Sequence, residues 1–466
     1  MLSEQILADL RQITGEEHVL TSPEDLICYS YDGTFHDSLP EAVINPGTTE
    51  EVSAILALCN RKGVPVIARG MASGLAAATV PVDGGLVLNL VRMNRILEID
   101  RANLMVTVEA GIITADLQAH VEKLGLFYPP DPSSIKHSTI GGNIACNAGG
   151  PRCLKYGITG DYVMGLEVVL ADGRIFRTGG KAIKNVTGYD LTSLFVGSEG
   201  TLGIITQATL RLIALPETKR TARAVFPHLD DASKAVNEIL WGGVVPATLE
   251  LMDETAINAV EDYLHLGLPR EAEAMLVIET DGDQSDATRD MEVIANICRN
   301  GGASEFRVAK NQEQSDELWR ARRSISGSLG RKRPNKLGED ISVPRSAIPD
   351  TIKGIKEISR QRDLPIVIFG HAGDGNLHPN ILFDQKDEEE WERVQAAIGD
   401  LFALSVSVGG TLSGEHGVGT LKKPYLESDL GPIAIDVMRS IRQALDPKGI
   451  LNPGKIFDMV DNADNQ

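Results

Sequence analysis

Three clusters of glycine residues in the first half of the chain restrict what this sequence can fold into. They are RGMASGL at 69–75, IGGNIACNAGG at 140–150 and GSEGTLG at 197–203. Because glycine has no Cβ, its backbone can approach a pyrophosphate closely and direct several N–H groups at it. No cluster shows GxGxxG at a strand-to-helix turn or GxxxxGK[ST], so neither a Rossmann fingerprint nor a P-loop is indicated. Taken one at a time, each cluster is equally well explained by ordinary turns.

The segments around these clusters predict alternating helices and strands. Thr48 and Glu51 form a capping-box pattern that opens a helix ended by Gly63. VPVIA is a short strand that leads into the first cluster, and LVLNL, ILEID and LMVTVEAG are further strands. Residues 140–213 predict glycine-rich loops between short strands. The pattern changes near Pro216, where a second domain of α+β type is expected to begin.

The composition describes a folded protein and disfavours several classes of function. A chain of 466 residues is too long for one ordinary core, so two or three domains are expected. With 45 Lys and Arg against 65 Asp and Glu, the formal charge is −20, and nucleic acid is not an expected partner. The five cysteines contain no CxxC pair, so an iron–sulfur cluster would have to lie on another polypeptide. Since neither a signal peptide nor a membrane-spanning segment is predicted, we expect a cytoplasmic protein.

Together, the three clusters resemble the FAD-binding domain of the vanillyl-alcohol oxidase and p-cresol methylhydroxylase (PCMH-type) family. The similarity extends over PVIARGMASGL, PPDPSS with STIGGNIACNAGG, YGITGDYV and LFVGSEGTLGIIT. In that family the first loop wraps the pyrophosphate, the second runs beside the isoalloxazine ring and the third lines the adenine–ribose end. Ala72 is a departure, because the family usually has glycine there. His137 and Cys146 lie in the second loop without an attachment pattern, so we expect non-covalent FAD.

The resemblance, carried over position by position, implies a set of FAD-contacting residues. The second loop adds hydroxyl and amide donors to a backbone that is already rich in donors. The implied contacts are Arg69, Gly70, Ser73, Gly74, Pro130, Asp131, Ser138, Thr139, Gly141, Gly142, Asn143, Asn147, Gly149, Glu199, Gly203, Ile204 and Ile205.

A second signal is IVIFGHAGDGNLHPNILF at 366–383. One apolar strand ends at His371, another begins after His378, and Asp374-Gly375 between them is a typical two-residue hairpin turn. If these two residues form the whole loop, His371 faces His378 with Cβ atoms about 4.5–5.5 Å apart. Two imidazoles placed in this way can share one metal ion, although a longer loop would break the pairing.

A third signal is SGEHGVG at 413–419, which sets Glu415 beside His416 between glycines. A carboxylate completes a His₂-carboxylate set, which suits Zn²⁺, Mn²⁺ or Fe²⁺ and leaves positions open for substrate. His416 points elsewhere than its neighbour and is available for acid–base chemistry near neutral pH. A lone histidine is usually structural, but this combination favours a metal site.

GHAGDGNLHP, GEHGVGTLKK and LDPKGILNPGKIF resemble the C-terminal domain of the D-lactate dehydrogenase, glycolate oxidase and D-2-hydroxyglutarate dehydrogenase group. With the flavin half, the resemblance covers residues 38 to 457. It implies that His371, His378 and Glu415 are metal ligands and that His416 is the catalytic base. It places Asn452 near the flavin. It also implies that Arg322 binds the substrate carboxylate, with Arg320 and Arg323 as alternatives.

A lysine of the hydroxyglutarate enzymes has no clean counterpart here. Alignment on DISVP places Gly338 at its position, with Lys336 two residues earlier. The absence of that lysine disfavours a dicarboxylate substrate.

The sequence therefore predicts an FAD-dependent enzyme that oxidises a small D-2-hydroxy acid, D-lactate first and glycolate second. In this mechanism His416 would accept the hydroxyl proton and Arg322 would hold the carboxylate. The metal would supply Lewis-acid polarisation of the hydroxyl, and flavin N5 would be the acceptor of the hydride from C2. Electrons then pass to a separate protein, such as an electron-transferring flavoprotein or an iron–sulfur subunit. Two other classes stay open: a metal-dependent hydrolase, which leaves the glycine clusters unused, and a non-catalytic flavin subunit, which leaves His416 unexplained.

The expected fold is α+β, with a two-subdomain PCMH-type FAD-binding domain, an α+β substrate (cap) domain and a C-terminal segment that returns to the flavin. The expected parts are an N-terminal helical segment at 1–37, the FAD-binding domain at 38–217, the substrate and metal domain at 218–457, and a tail at 458–466. Metal identity and the formation of a homodimer stay open.

Overall fold

The computed structural model describes residues 2–459, so the expected tail lies outside the described residues from 460 onward. The chain divides into two units. Within the described residues, unit 1 comprises 2–149, 158–215 and 415–459, and unit 2 comprises 150–157 and 216–414. The chain thus returns to unit 1 after Gly414. The sequence analysis expected a C-terminal segment that returns to the flavin but drew the end of the substrate and metal domain at 457. No helix in the described part is both long and apolar enough to cross a bilayer.

Helices occur along the whole described chain, between the strands. Across the described residues they are α1 (Glu4–Thr14), α2 (Pro23–Cys28), α3 (Thr49–Lys62), α4 (Thr114–Glu122), α5 (Ile140–Cys146), α6 (Cys153–Tyr156), α7 (Leu191–Phe195), α8 (Leu229–Trp241), α9 (Glu254–Leu264), α10 (Gln284–Asn300), α11 (Gln312–Arg323), α12 (Ile325–Leu329), α13 (Ile348–Arg362), α14 (Glu388–Ser407), α15 (Leu426–Leu430) and α16 (Pro432–Leu445). Short 3-10 turns lie at Glu16–His18, Leu90–Arg92, Thr159–Tyr162, Arg345–Ala347 and Lys423–Tyr425.

The strands build several separate sheets. In unit 1 they are β1 (Val19–Leu20), β2 (Ala42–Ile44), β3 (Val66–Arg69), β4 (Leu86–Asn89), β5 (Ile96–Asp100), β6 (Met105–Glu109), β7 (Leu126–Phe127), β8 (Val163–Val169), β9 (Ile175–Gly179), β10 (Ile204–Arg211) and β11 (Ile213–Ala214). In unit 2 they are β12 (Thr218–Phe226), β13 (Thr248–Asp253), β14 (Ala274–Gly282), β15 (Glu305–Val308), β16 (Asn335–Gly338), β17 (Ile341–Ser342), β18 (Ile366–His371) and β19 (Asn376–Phe383).

Helix α3 forms where the capping pattern predicts it. The Thr48 hydroxyl accepts from the Glu51 amide at 3.2 Å, and the Glu51 carboxylate accepts from the Gly47 amide at 2.7 Å. Gly63 ends the helix with a left-handed backbone at φ 66°. The second glycine cluster, expected to be a loop, instead contains α5, because the Thr139 hydroxyl caps its first turn by accepting from Gly142 at 3.2 Å.

Unit 1 contains two main sheets. The first has the order β1-β2-β4-β3, in which β2, β4 and β3 are parallel, and the second is antiparallel with the order β5-β6-β10-β8-β9. Apolar residues of α1 and α3 pack on the first sheet in one buried cluster with Ile450 and Leu451. The first glycine cluster leaves the carboxyl end of β3, so this sheet positions its loop.

Unit 2 is built on one large antiparallel sheet. Its order is β15-β12-β14-β13-β18-β19-β16, and β17 also pairs with β19. Helices α9 and α12 bury apolar side chains against β13, β18 and β19. These strands carry the predicted hairpin.

The short segment 150–157 belongs to unit 2 although unit 1 flanks it in sequence. In α6, the Lys155 ammonium lies 2.5 Å from Oδ1 of Asp281, and the Tyr156 hydroxyl donates to Oδ2 at 2.7 Å. Asp281 is buried at the end of β14. Two donors on one helical turn therefore tie this segment to the large sheet.

Candidate active site

The three glycine clusters, far apart in sequence, come together in unit 1. Gly70 lies so close to Thr139 that a Cβ at this position would overlap the threonine hydroxyl. Gly197 and Glu199 of the third cluster donate their backbone N–H groups to carbonyls at the end of α5, both at 2.9 Å. The second cluster, with Thr139 before it, therefore lies against both of the others, which isolated turn glycines do not explain.

The tip of the first loop fits the pyrophosphate of FAD. Ala72 has φ 50°, a left-handed backbone that favours glycine, which gives a physical reason for the glycine usual in the family. Within residues 2–459, the backbone N–H groups of 71–74 donate no hydrogen bond. Successive amides of this kind can bind phosphate oxygens.

Several side chains expected to contact FAD have partners inside unit 1. The Asn143 amide donates to the Thr114 hydroxyl at 2.8 Å, and the Ser138 hydroxyl lies 3.2 Å from the same oxygen. Oδ1 of Asn147 accepts from the Gly160 amide at 2.8 Å. These three side chains hold the second loop in shape.

The other residues implied by the resemblance also lie in unit 1. The Arg69 guanidinium donates to the Tyr31 carbonyl at 2.7 Å, and burial lowers its pKa. The Pro130 carbonyl accepts from the Gln118 amide at 2.9 Å. The remaining members are Ser73, Gly74, Asp131, Gly141, Gly142, Gly149, Gly203, Ile204 and Ile205.

The Glu199 side chain has a role that the resemblance does not imply. Its carboxylate accepts from the backbone amides of Val418 at 2.7 Å and Gly419 at 2.8 Å, just after His416. The Asn452 amide donates to the Glu199 carbonyl at 2.7 Å. The third glycine cluster is therefore bound to the loop that carries the predicted base.

Burial raises the pKa of the Glu199 carboxyl, and the two backbone amides and the cations of Lys455 and Lys422 oppose the shift. Both lysines are buried, and burial lowers the pKa of Lys455 to about 8. The carboxylate thus lies in a polar cluster buried within unit 1.

The cysteine of the second loop is a poor nucleophile. Burial, with Glu199 and Asp32 as smaller causes, raises the pKa of the Cys146 thiol to about 12. A thiol with this pKa is protonated at neutral pH. His137 is exposed.

In unit 2, the hairpin forms, but its predicted register is wrong. His371 pairs with Asn376, and His378 pairs with Phe369, so the loop has four residues, 372–375, instead of two. The register shifts by two positions in total, and an even shift keeps both histidines on one face of the sheet. They are diagonal neighbours, with ring centroids 5.1 Å apart.

The four-residue loop depends on Gly375. Its backbone has φ 88°, and a Cβ would overlap the Val343 carbonyl. Only glycine combines this conformation with so close an approach. The Asp-Gly signal therefore identifies a turn correctly but not its length.

Glu250 is a site residue that the sequence analysis missed. It lies on β13 directly opposite His371 of β18 and is fully buried. Its Oε1 lies 2.6 Å from Nδ1 of His371, and its Oε2 lies 2.7 Å from Nε of Arg322. Burial alone raises the pKa of the Glu250 carboxyl, but the charges of His371 and Arg322 outweigh burial and hold it below its ordinary value.

The chain approaches the hairpin through Ser413 and Gly414. The Ser413 hydroxyl donates to Asp340 at 2.7 Å, and Asp340 also accepts from the Asn376 amide at 2.6 Å. Glu415, the third predicted ligand, follows directly in sequence and is the first residue of the chain's return to unit 1.

Lys336 and Gly338 occupy β16, next to β19. The Lys336 ammonium donates to the Ser326 hydroxyl at 2.8 Å, and burial lowers its pKa. A Cβ on Gly338 would press on the side-chain oxygen of Asn380. A longer side chain at 338 would therefore require Asn380 to move.

Models of two protein families match the chain. "FAD binding domain" covers residues 40–179, and "FAD linked oxidases, C-terminal domain" covers residues 215–456. The order of the two matches is that of the flavin half and the hairpin half.

The similar proteins agree with these families. "Glycolate oxidase subunit GlcD" of Bacillus subtilis (strain 168) is 49% identical over 98% of this chain and 97% of its own length. "D-lactate dehydrogenase" of Anaerostipes hadrus is 35% identical over 90% of this chain and 89% of its own length. A solved structure of p-cresol methylhydroxylase with bound substrate shares the fold with a TM-score of 0.82, covering 98% of this chain and 97% of that one at 18% identity.

The converging glycine loops and the two matches define an FAD-dependent oxidoreductase with a PCMH-type fold. The chain belongs to the family of FAD-linked oxidases. A metal-dependent hydrolase, which the sequence analysis left open, does not account for the flavin loops.

Proposed function

We propose that this enzyme oxidises a short 2-hydroxy monocarboxylic acid to the 2-oxo acid, with non-covalent FAD. The observation that carries the proposal is the convergence of the glycine loops in unit 1 together with the histidine pair on one face of the hairpin in unit 2. The sequence analysis placed D-lactate before glycolate. The relative at 49% identity is named a glycolate oxidase subunit and that at 35% a D-lactate dehydrogenase, which favours glycolate as the first substrate to test.

His416 is the proposed base that accepts the hydroxyl proton, and Arg322 is the proposed ligand of the substrate carboxylate. A guanidinium binds a carboxylate through two parallel N–H groups, which orients the substrate. FAD, when bound, supplies the two-electron oxidant. The backbone of 71–74 would hold its pyrophosphate, and the raised pKa of Cys146 favours a flavin without a thioether link.

His371, His378 and Glu415 are the proposed ligands of a divalent metal, Zn²⁺, Mn²⁺ or Fe²⁺. Two imidazoles and one carboxylate are a ligand set that suits such an ion, and the two imidazoles lie side by side on the hairpin, with ring centroids 5.1 Å apart. When bound, the ion would supply Lewis-acid polarisation of the substrate hydroxyl. The Glu250 carboxylate behind His371 is a partner typical of metal-binding histidines.

The flavin test uses anaerobic bleaching. Substrate should bleach the flavin absorbance within the panel of glycolate, D-lactate and D-2-hydroxyglutarate, and no bleaching by any of them would contradict the proposal. His416→Ala should retain its flavin and lose about 10²–10⁴-fold in bleaching rate, as expected for loss of a general base. His137→Ala, an exposed histidine of the flavin loop, is the matched control and should bleach normally.

The metal test uses elemental analysis. His378→Gln should lose the bound metal, while His265→Asn, a histidine at the end of α9, should retain it. Asparagine tolerates the left-handed backbone of residue 265, so the control keeps its fold. Equal metal content in both variants would remove His378 from the ligand set.

Electrons are proposed to pass to a separate acceptor protein. The word "subunit" in the name of the relative at 49% identity supports such an assembly, as does the lack of a CxxC pair in this sequence. With substrate present, the enzyme should reduce an artificial dye much faster than it consumes oxygen. Equal rates with both acceptors would indicate an oxidase that needs no partner.

A further inference from the structure

We infer that Glu250 is a positioning residue that sets the orientation and tautomer of His371 and the plane of the Arg322 guanidinium. The inference rests on the proposed function, in which these two residues bind metal and substrate. Glu250 lies between them in the middle of an apolar strand and has no exposed surface. A carboxylate is expensive to bury, so one held between two functional side chains calls for an explanation.

The contact to His371 determines which ring nitrogen can bind a metal. Oε1 of Glu250 is 2.6 Å from Nδ1 of His371. The carboxylate is an acceptor, so Nδ1 carries the hydrogen and Nε2 keeps its lone pair. Nε2 is then the nitrogen that His371 offers to a metal. Without Glu250 the neutral ring can adopt either tautomer and can rotate.

The contact to Arg322 restrains the position of the guanidinium proposed to bind substrate. Oε2 of Glu250 forms an ion pair with Nε of Arg322 at 2.7 Å, and the guanidinium lies over the Phe369 ring with its carbon 4.7 Å from the centroid. The ion pair holds the guanidinium beside Glu250, and the ring lies against its plane. The guanidinium of Arg322 is therefore restrained from two sides.

Phe369 links the two contacts. It pairs with His378 across the hairpin, with ring centroids 5.6 Å apart. Glu250 and Phe369 together therefore touch the predicted substrate arginine and both histidines. The Glu250 carboxylate on β13 therefore contacts one residue proposed to bind metal and one proposed to bind substrate, which lie in separate segments of the sequence.

A purely structural role is the competing explanation. In that case Glu250 only neutralises the Arg322 charge, and the state of His371 does not depend on it. The two explanations differ in the histidine tautomer, which can be measured without metal, substrate or activity.

The first experiment is ¹⁵N-histidine NMR of the full chain, metal-free and with its flavin. The wild type should show one Nδ1–H resonance shifted far downfield by a carboxylate, identified by its absence from His371→Gln. Glu250→Gln should move this resonance upfield, because a neutral amide oxygen is a weaker acceptor than a carboxylate. Asp253→Asn, which changes another buried carboxylate on the same strand, should leave it at the wild-type position. A resonance that stays at the wild-type position in Glu250→Gln overturns the inference.

The second experiment measures Zn²⁺ affinity by chelator competition. Glu250→Gln should bind Zn²⁺ about 10–100-fold more weakly, as when a carboxylate partner of a ligating histidine is lost. Asp253→Asn should bind like wild type. Unchanged Zn²⁺ affinity in Glu250→Gln overturns the role toward the metal.

A third variant distinguishes a local effect at His371 from misfolding of the chain. Glu250→Asp keeps the charge beside Arg322 but shortens the side chain, so it should weaken both the Nδ1–H resonance and Zn²⁺ binding while circular dichroism stays unchanged. Wild-type behaviour of this variant in both measurements contradicts the inference. If the wild type shows the resonance but binds no Zn²⁺, the proposed metal site fails while the Glu250–His371 contact stands.

Discussion

Two buried glutamates, one in each unit, are bound in opposite ways. Glu199 accepts from two backbone amides, of Val418 and Gly419, whereas Glu250 contacts the side chains of His371 and Arg322. The difference appears in their pKa values: burial raises that of Glu199, and the neighbouring charges lower that of Glu250. The partners of Glu199 are backbone groups, whereas those of Glu250 are particular side chains.

The largest effect is expected when Glu250 loses its charge. Glu250→Gln leaves the Arg322 guanidinium largely buried without its counter-ion, which costs about 3–5 kcal/mol in the free energy of unfolding. Urea denaturation followed by circular dichroism measures this loss of unfolding free energy. A loss no greater than that of Glu199→Gln would remove the contrast between the two residues.

Asp253 sharpens the comparison, because it lies on the same strand as Glu250 and caps α9 through the Ala256 amide at 2.8 Å. Burial raises its pKa from 3.8 to about 7. Since the folded pKa is above the unfolded one, its contribution to stability is present below pH 3.8 and is lost as pH rises through about 7. Asparagine also caps the helix and does not ionise. The free energy of unfolding of Asp253→Asn should therefore rise relative to that of the wild type by up to about 4 kcal/mol across that range.

Thermal unfolding of both proteins between these pH limits provides the measurement. A difference in stability that does not change with pH would mean that the Asp253 carboxyl is ionised as readily in the folded chain as in the unfolded one.

Glu199→Gln should have a smaller effect. The glutamine carbonyl can still accept from one amide, so the loss corresponds to one buried donor left unsatisfied, about 1–3 kcal/mol. Urea denaturation under the conditions used for Glu250→Gln gives the comparison. Glu199→Ala should destabilise the protein more, because it removes both acceptors, and equal values would show that glutamine restores nothing.

The smallest effect concerns Ala72 in the first flavin loop. Its left-handed backbone costs about 1–2 kcal/mol for a residue with a Cβ, and the extra unfolded-state freedom of glycine offsets part of that. Ala72→Gly should therefore stabilise the protein by up to about 1 kcal/mol. The shift of the denaturation midpoint tests this, and a clear loss of stability would show that the methyl group has a packing role.

Features with local signals were predicted well from the sequence. The cap at Thr48, the strand before Gly70 and the existence of the hairpin each follow from a few neighbouring residues. The FAD-binding fold followed from the order of the glycine clusters and their family resemblance. Helix α5 was missed because its cap, Thr139, stands before two glycines that ordinarily oppose a helix.

Features that depend on distant residues could not be predicted. The length of the hairpin loop depends on the Val343 carbonyl beside Gly375, which no local pattern reveals. Glu250 looks like an ordinary polar residue of the strand TLELMD until β13 pairs with β18. The hint in the sequence was a carboxylate between two leucines, because a carboxylate that becomes buried needs a partner.

The segment 150–157 limits how this protein can be divided and recombined. The donors that neutralise Asp281 come from α6, which is encoded within the flavin half of the gene. A fragment of residues 216–414 alone would keep that carboxylate and lose both donors. An exchange of substrate domains between relatives would therefore have to transplant eight residues from elsewhere in the sequence along with the contiguous block.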